Sequence, residues 1–222
     1  MNPYHDVGAL PIDLPRIDIN EALLDQLMDQ HDTGHHDALW KAMPLVADTK
    51  DFGSAELVES GWEKRYSADC APKINQAVYH QFKPLFNLLE LLPMRVTHAQ
   101  ILCQTAYVGR HFDLKNDGNQ NFFDDAEGLY DDIEPVSYKI LLNCRDENSF
   151  FVCGGFQSEK KFVRLPADTS TFVINEKRYP HGAIMTTRPK YIVSVFGQID
   201  RDEHIDLLDR SMMKYSNQSV CF

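Results

Sequence analysis

Two rhythms of apolar residues divide the chain near residue 93. Before it, apolar positions recur at helical spacing; after it, they alternate or cluster in short runs rich in β-formers. Residues 1–18 hold Pro3, Gly8, Pro11 and Pro15 among mixed neighbours and read as an extended arm. Asn20 is placed to cap a helix over EALLDQLMDQH, with Leu23, Leu24, Leu27 and Met28 on one face. Residues 32–70 are polar and broken, with Trp40, Phe52, Trp62 and Tyr66 spaced among charges. Pro72 then opens a second helical stretch that runs to Leu92 through Ile74, Val78, Phe82, Leu85, Phe86 and Leu89. Pro84 should kink or break it, because proline lacks an amide N–H and clashes with the preceding turn.

From Met94 the period is that of strands. MRVTHAQILCQTAYV alternates, and VSYKILLNC (136–144), SFFVCGGF (149–156), KKFVRL (160–165), STFVINE (170–176) and KYIVSVFGQID (190–200) follow between turn-like segments. Short strands at this spacing, without helices between them, predict an all-β sandwich or barrel. The fold class expected is mainly β with flanking helices. Residues 1–93 would supply an arm and helices packed on a β core spanning 94–222, in one domain, and 203–213 reads as a short closing helix. The segment 114–134 stands apart: it is acidic and about twenty residues long, either a solvated insertion or a lid over a site.

Composition narrows the function. The 222 residues are 43% hydrophobic and 25% charged, which is globular, and a net charge of −11 argues against general nucleic-acid binding. Five cysteines at wide spacings, with no C-x-x-C, give neither a disulfide framework nor a zinc knuckle. The opening MNPYHDVGALPIDLP lacks a basic-then-apolar leader, and no apolar run reaches bilayer length, so a cytoplasmic protein without membrane partners is expected.

The candidate chemistry centres on His111-Phe-Asp113, at the end of the run ILCQTAYVGR. Residues i and i+2 of a strand point to the same side, so His111 and Asp113 can converge on one ion. His181, in RYPHGAIM just after a predicted strand, supplies a second imidazole. Two histidines and a carboxylate form a facial triad that leaves coordination positions open on Fe(II). His35-His36 competes for the second-imidazole role from a polar, irregular stretch. Lys190, nine residues after His181, could pair with a carboxylate whose other end meets the metal; Ser194 shares its strand face, and Arg188 is the competing cation. Arg110 and Arg178, close to the ligands, could meet an acidic substrate group.

In this order, YVGRHFD, SYKILLN, FVCGGF, LPADTSTFVINEKRYPHGA and KYIVSVFG resemble the Fe(II)/2-oxoglutarate-dependent dioxygenases, most closely their prolyl-hydroxylase-like branch. The resemblance covers about residues 94–200. It implies a double-stranded β-helix of jelly-roll or cupin-like type and iron held by His111, Asp113 and His181. It also implies 2-oxoglutarate held by Lys190 with Ser194, and a pocket lined by Tyr107. The activity implied is hydroxylation of an unactivated C–H bond, with O2 consumed and succinate and CO2 released. The substrate would be a small molecule or an amino-acid side chain. Lys190 stands where that family usually has arginine.

Two further functions stay open on the sequence: a cupin-like iron oxygenase that uses no 2-oxoglutarate, and a non-catalytic jelly-roll module whose acidic surface meets a protein. Cys153, within a strand of large apolar residues, reads as packing rather than as a nucleophile. The acidic pairs of 114–134 do not have the spacing of an EF-hand loop.

Overall fold

The computed structural model describes residues 3–32, 40–47, 57–58, 73–112, 135–144 and 149–222. Asp113, the acidic segment 114–134 and His35-His36 lie outside the described residues.

Strands dominate, and two antiparallel sheets result. In chain order the elements are β1 (Val7–Pro11), α1 (Glu21–His31), β2 (Trp40–Ala47), β3 (Leu57–Val58), β4 (Lys73–Asn75), α2 (Gln76–Gln81) and α3 (Lys83–Glu90). There follow β5 (Met94–Gln104), β6 (Val108–His111), β7 (Ser137–Leu141), β8 (Phe150–Cys153), β9 (Lys160–Phe162), β10 (Thr171–Ile174), β11 (His181–Ala183), β12 (Lys190–Ile199), α4 (Arg201–Tyr215) and β13 (Val220–Cys221). Among the described residues one sheet has the order β13-β1-β10-β7-β12-β5-β2-β4-β3 and the other β6-β11-β8-β9.

From β5 to β12 the chain winds back and forth between the sheets. β5, β7, β10 and β12 lie in the first, and β6, β8, β9 and β11 in the second. That winding is a double-stranded β-helix, the architecture the motif order implied.

Side-chain alternation sorts each strand of the first sheet into two faces. Tyr138, Ile140, Val173, Val193 and Val195 turn outward, against Leu24, Leu27 and Met28 of α1, Leu85, Phe86 and Leu89 of α3, and Leu207 and Leu208 of α4. Leu141, Phe172, Ile174 and Ile192 turn inward and pack with Phe150 and Val152 of the second sheet. The chain thus has an outer helix-covered core and a thinner core between the sheets. The candidate residues His181, Lys190 and Ser194 face the second.

Local signals place the helices. Asn20 caps α1 by accepting from the Leu23 N–H at 3.3 Å, as its position implied. The stretch after Pro72 starts later than the pattern indicated: residues 73–75 pair as β4, and Asn75 caps α2. The break at Pro84 is real, with one helix ending at Gln81 and the next beginning at Lys83. α4, capped by Asp200, is longer at both ends than the expected 203–213.

The first 93 residues contribute more than an arm and helices. β1 enters the first sheet between β13 and β10, and β2 pairs with β5 along Trp40–Val46. β2 escaped the sequence reading because it contains Pro44 and lacks clean alternation. The register shifts between Pro44 and Val46, a bulge of the kind that accommodates proline in a strand.

Candidate metal centre

β6 and β11 are neighbours in the second sheet, and His111 and His181 are register partners across them. Directly opposed residues share a face, so both imidazoles project from the same side; their ring centroids lie 4.3 Å apart. His181 also opposes Val152 of β8, which faces the interior, so this side is the gap between the sheets. His181 is 2% exposed, and the Phe150 ring stacks on its imidazole at 5.5 Å and 18°. His111 Nδ1 lies 2.9 Å from the Gly109 carbonyl, which as an acceptor fixes the N–H there and leaves Nε2 with its lone pair.

A glycine makes the approach of the two strands feasible. A Cβ on Gly182 would lie 2.6 Å from the Gly109 carbonyl oxygen, 2.7 Å from that of Val108 and 2.8 Å from Phe151 Cζ. Any side chain there would push β11 away from β6 and part the two histidines.

Two imidazoles held in this way fit an Fe(II) site as two of its protein ligands. Among the described residues no group of three or more His, Cys, Asp or Glu gathers. The carboxylate of the expected triad, Asp113, follows β6 by two residues and lies outside the described set.

Lys190 opens β12 and is 1% exposed. Its side chain crosses from the first sheet to the second, where Nζ donates to Ser149 Oγ at 3.0 Å and lies 5.8 Å from the centre of the Phe150 ring. Phe150 therefore touches His181 on one side and the ammonium on another. Burial pulls the Lys190 pKa down to about 8, with the Cys144 thiol opposing in part. Among the described residues no carboxylate is recorded against this ammonium; its neighbours there are the Ser149 hydroxyl, the Phe150 ring and the Cys144 thiol, and a buried cation in that company is ready for an anion.

Ser194 shares the inward face of β12, as the four-residue spacing implied. Its hydroxyl accepts from Lys139 Nζ at 3.3 Å, from directly across the β7–β12 ladder. Lys139 forms a buried ion pair with Glu176 at 3.4 Å, the two side chains being 5% and 1% exposed. Lys139, Glu176, Ser149 and Phe150 were not singled out from sequence. The signal for Lys139 was present: a lysine at an inward position of the otherwise apolar run VSYKILL.

The remaining candidates point elsewhere. Arg188 pairs with Glu21 of α1 at 3.1 Å on the exposed side. Tyr107 is half exposed beneath Lys160 Nζ at 5.2 Å; that ammonium also lies over Phe151, so the tyrosine packs with the outer side of the second sheet. Arg110 donates to the carbonyls of Phe156 and, at 2.9 Å, of Ser158, tying β6 to the turn after β8. Arg178 Nη1 lies 2.9 Å from His5 Nε2 in the N-terminal turn. Cys153 is fully buried packing.

The fold is that of a double-stranded β-helix with a histidine pair in its cleft. Similar solved structures are a 2OG-Fe(II) oxygenase family oxidoreductase from Burkholderia pseudomallei (12% identity, 81% of this chain and 78% of that one, TM-score 0.41) and a Pseudomonas putida prolyl-4-hydroxylase (10%, 88% and 95%, TM-score 0.45). A third is a Trichoplax adhaerens prolyl hydroxylase in complex with a hypoxia inducible factor oxygen degradation domain peptide fragment (10%, 83% and 78%, TM-score 0.40). No family model matches the sequence, and neither does any curated protein.

Proposed function

We propose that this chain is an Fe(II)- and 2-oxoglutarate-dependent oxygenase that hydroxylates a C–H bond of a small molecule or an amino-acid side chain. The observation that carries the reading is the shared contact of His181 and Lys190 with Phe150 inside one cleft. One imidazole of the histidine pair and a buried ammonium, with no carboxylate recorded against it among the described residues, both lie within 6 Å of the centre of one ring. A short dicarboxylate suits that arrangement, with one end at the metal and the other at the ammonium.

In this reading His111, Asp113 and His181 hold Fe(II), which supplies the oxidative chemistry. The chain's other residues bind, orient and exclude water. Lys190 neutralises the far carboxylate in a site where burial strengthens the attraction. Ser149 and Ser194 contribute hydroxyls. Phe150 walls the space between metal and cation, and the apolar residues around it keep the cleft dry.

The test is turnover. Fe(II)-loaded protein should convert 2-oxoglutarate to succinate and CO2 with uptake of O2. Lys190→Ala should raise the KM for 2-oxoglutarate far more than it lowers kcat. Turnover that needs no 2-oxoglutarate, and is untouched by that substitution, would instead establish an iron oxygenase of the cupin-like kind.

A further inference from the structure

Asn143 lies just beyond β7 and is 4% exposed. It is not part of the histidine pair and its side chain does not enter the cleft; it closes on the backbone of β12. Its Nδ2 donates to the Pro189 carbonyl at 2.9 Å, and its Oδ1 accepts from the Tyr191 N–H at 2.7 Å. Those two groups belong to the peptide units on either side of Lys190. Each peptide unit is planar, so holding both fixes the direction in which the lysine Cα–Cβ bond leaves the strand.

A short carboxamide offers a donor and an acceptor in one rigid plane at this reach, in a single charge state at every pH. The rest of the neighbourhood braces it. The second Nδ2 hydrogen meets Glu21 Oε2 of α1 at 3.2 Å. The next residue, Cys144, adopts φ 53°, a left-handed conformation uncommon for cysteine, and its thiol donates to the same Pro189 carbonyl at 3.5 Å. On the outer side, Tyr191 reaches Asp25 of α1 and Arg188 reaches Glu21, so residues 188–191 are tied down around a lysine that points the other way.

We propose that Asn143 is a positioning residue for Lys190: its carboxamide clamps both flanking peptide units and aims the ammonium across the cleft at the site of the cosubstrate's far carboxylate. The inference rests on the reading of Lys190 as that anchor. Lys190 enters an apolar gap against the preference of its charge, and without the clamp it gains by swinging toward solvent.

The experiment is calorimetric binding of 2-oxoglutarate to the Mn(II)-loaded protein, without turnover, over a pH series. Asn143→Ala should weaken 2-oxoglutarate at least tenfold while leaving Mn(II) affinity within twofold. Its alkaline midpoint for anion binding should rise from about 8 toward the ordinary lysine value of 10.5, because a freed ammonium is better solvated. A folded Asn143→Ala that binds 2-oxoglutarate within twofold of the parent overturns the proposal. So do equal losses of metal and anion affinity with an unmoved midpoint. Glu21→Ala, at a partly exposed site, removes the brace on Asn143 together with the Arg188 ion pair, and leaves both bonds of the clamp to β12 in place. It should give a smaller loss of the same kind and the same direction of midpoint shift, and no change would also overturn the proposal. Lys190→Ala separates the two readings. If it binds 2-oxoglutarate as the parent does, the anchor itself is misassigned; if it has lost binding while Asn143→Ala has not, only the clamp fails.

Discussion

Lys190 Nζ crosses the gap between the sheets to donate a hydrogen bond to Ser149 Oγ at 3.0 Å. The contact sets the proposed anion-binding role of Lys190 against stability. The ammonium has left water for a hydroxyl and an aromatic ring, and its pKa falls to about 8. Between about pH 8 and pH 10.5 the unfolded chain therefore binds more protons at this residue than the folded one. This group's contribution to stability rises with pH across that window, and below pH 8 the full desolvation cost remains. Lys190→Met removes the cost. At pH 7 it should stabilise the protein by on the order of 3 kcal/mol while abolishing anion binding. Urea unfolding at pH 7 and pH 10 checks the sign, since the gain should shrink at the higher pH.

If Lys190 anchors 2-oxoglutarate as proposed, the same titration sets the pH dependence of its binding. On that proposal the anion needs a charged Lys190, so 2-oxoglutarate affinity should be level below about pH 8 and fall above it. Bound carboxylate favours the ammonium, so the complex should lose its proton at higher pH than the free protein. Proton uptake on binding at pH 8.5, read by calorimetry in two buffers of different ionisation enthalpy, should be positive.

Gly182→Ala tests the strand geometry under the proposed metal site. The new methyl would meet two backbone carbonyls and Phe151 at 2.6–2.8 Å, and backbone does not yield as a flexible side chain does. β11 should move away from β6, and Fe(II) affinity should fall although no ligand has changed. Metal titration of the folded variant measures this; affinity equal to the parent's would show that the strands have slack.

The Lys139–Glu176 pair yields a stability prediction. Glu176→Ala leaves a buried ammonium without its carboxylate and should cost roughly 3–5 kcal/mol. The double variant Lys139→Met/Glu176→Leu should be markedly more stable than the single one. Denaturant midpoints of the three proteins decide it.

Much of this was legible in the sequence, for reasons that differ by residue. His111 stood out because H-x-D ends a β-type run and His181 because it follows one, and the pairing of β6 with β11 then made them register partners. Lys190 and Ser194 followed from a four-residue spacing that alternation turns into a shared face. β2 was hidden because Pro44 interrupts its pattern, and pairing with β5 rather than local preference makes it a strand. Phe150 and Ser149 were invisible as site residues because their roles arise from what lies opposite them, 31 and 41 positions away in the chain. Asn143 reads locally as a turn residue; its part becomes visible only once β12 lies beside β7.

The most direct measurement is anaerobic titration of the protein with Fe(II) and then 2-oxoglutarate, following the weak visible charge-transfer band of a metal-bound keto acid. The account predicts a band that saturates at one equivalent, disappears in His111→Ala, His181→Ala and Asp113→Ala, and needs far more 2-oxoglutarate in Lys190→Ala. Fe(II) binding without a band at saturating 2-oxoglutarate would contradict the cosubstrate assignment. Absence of Fe(II) binding would contradict the metal centre itself.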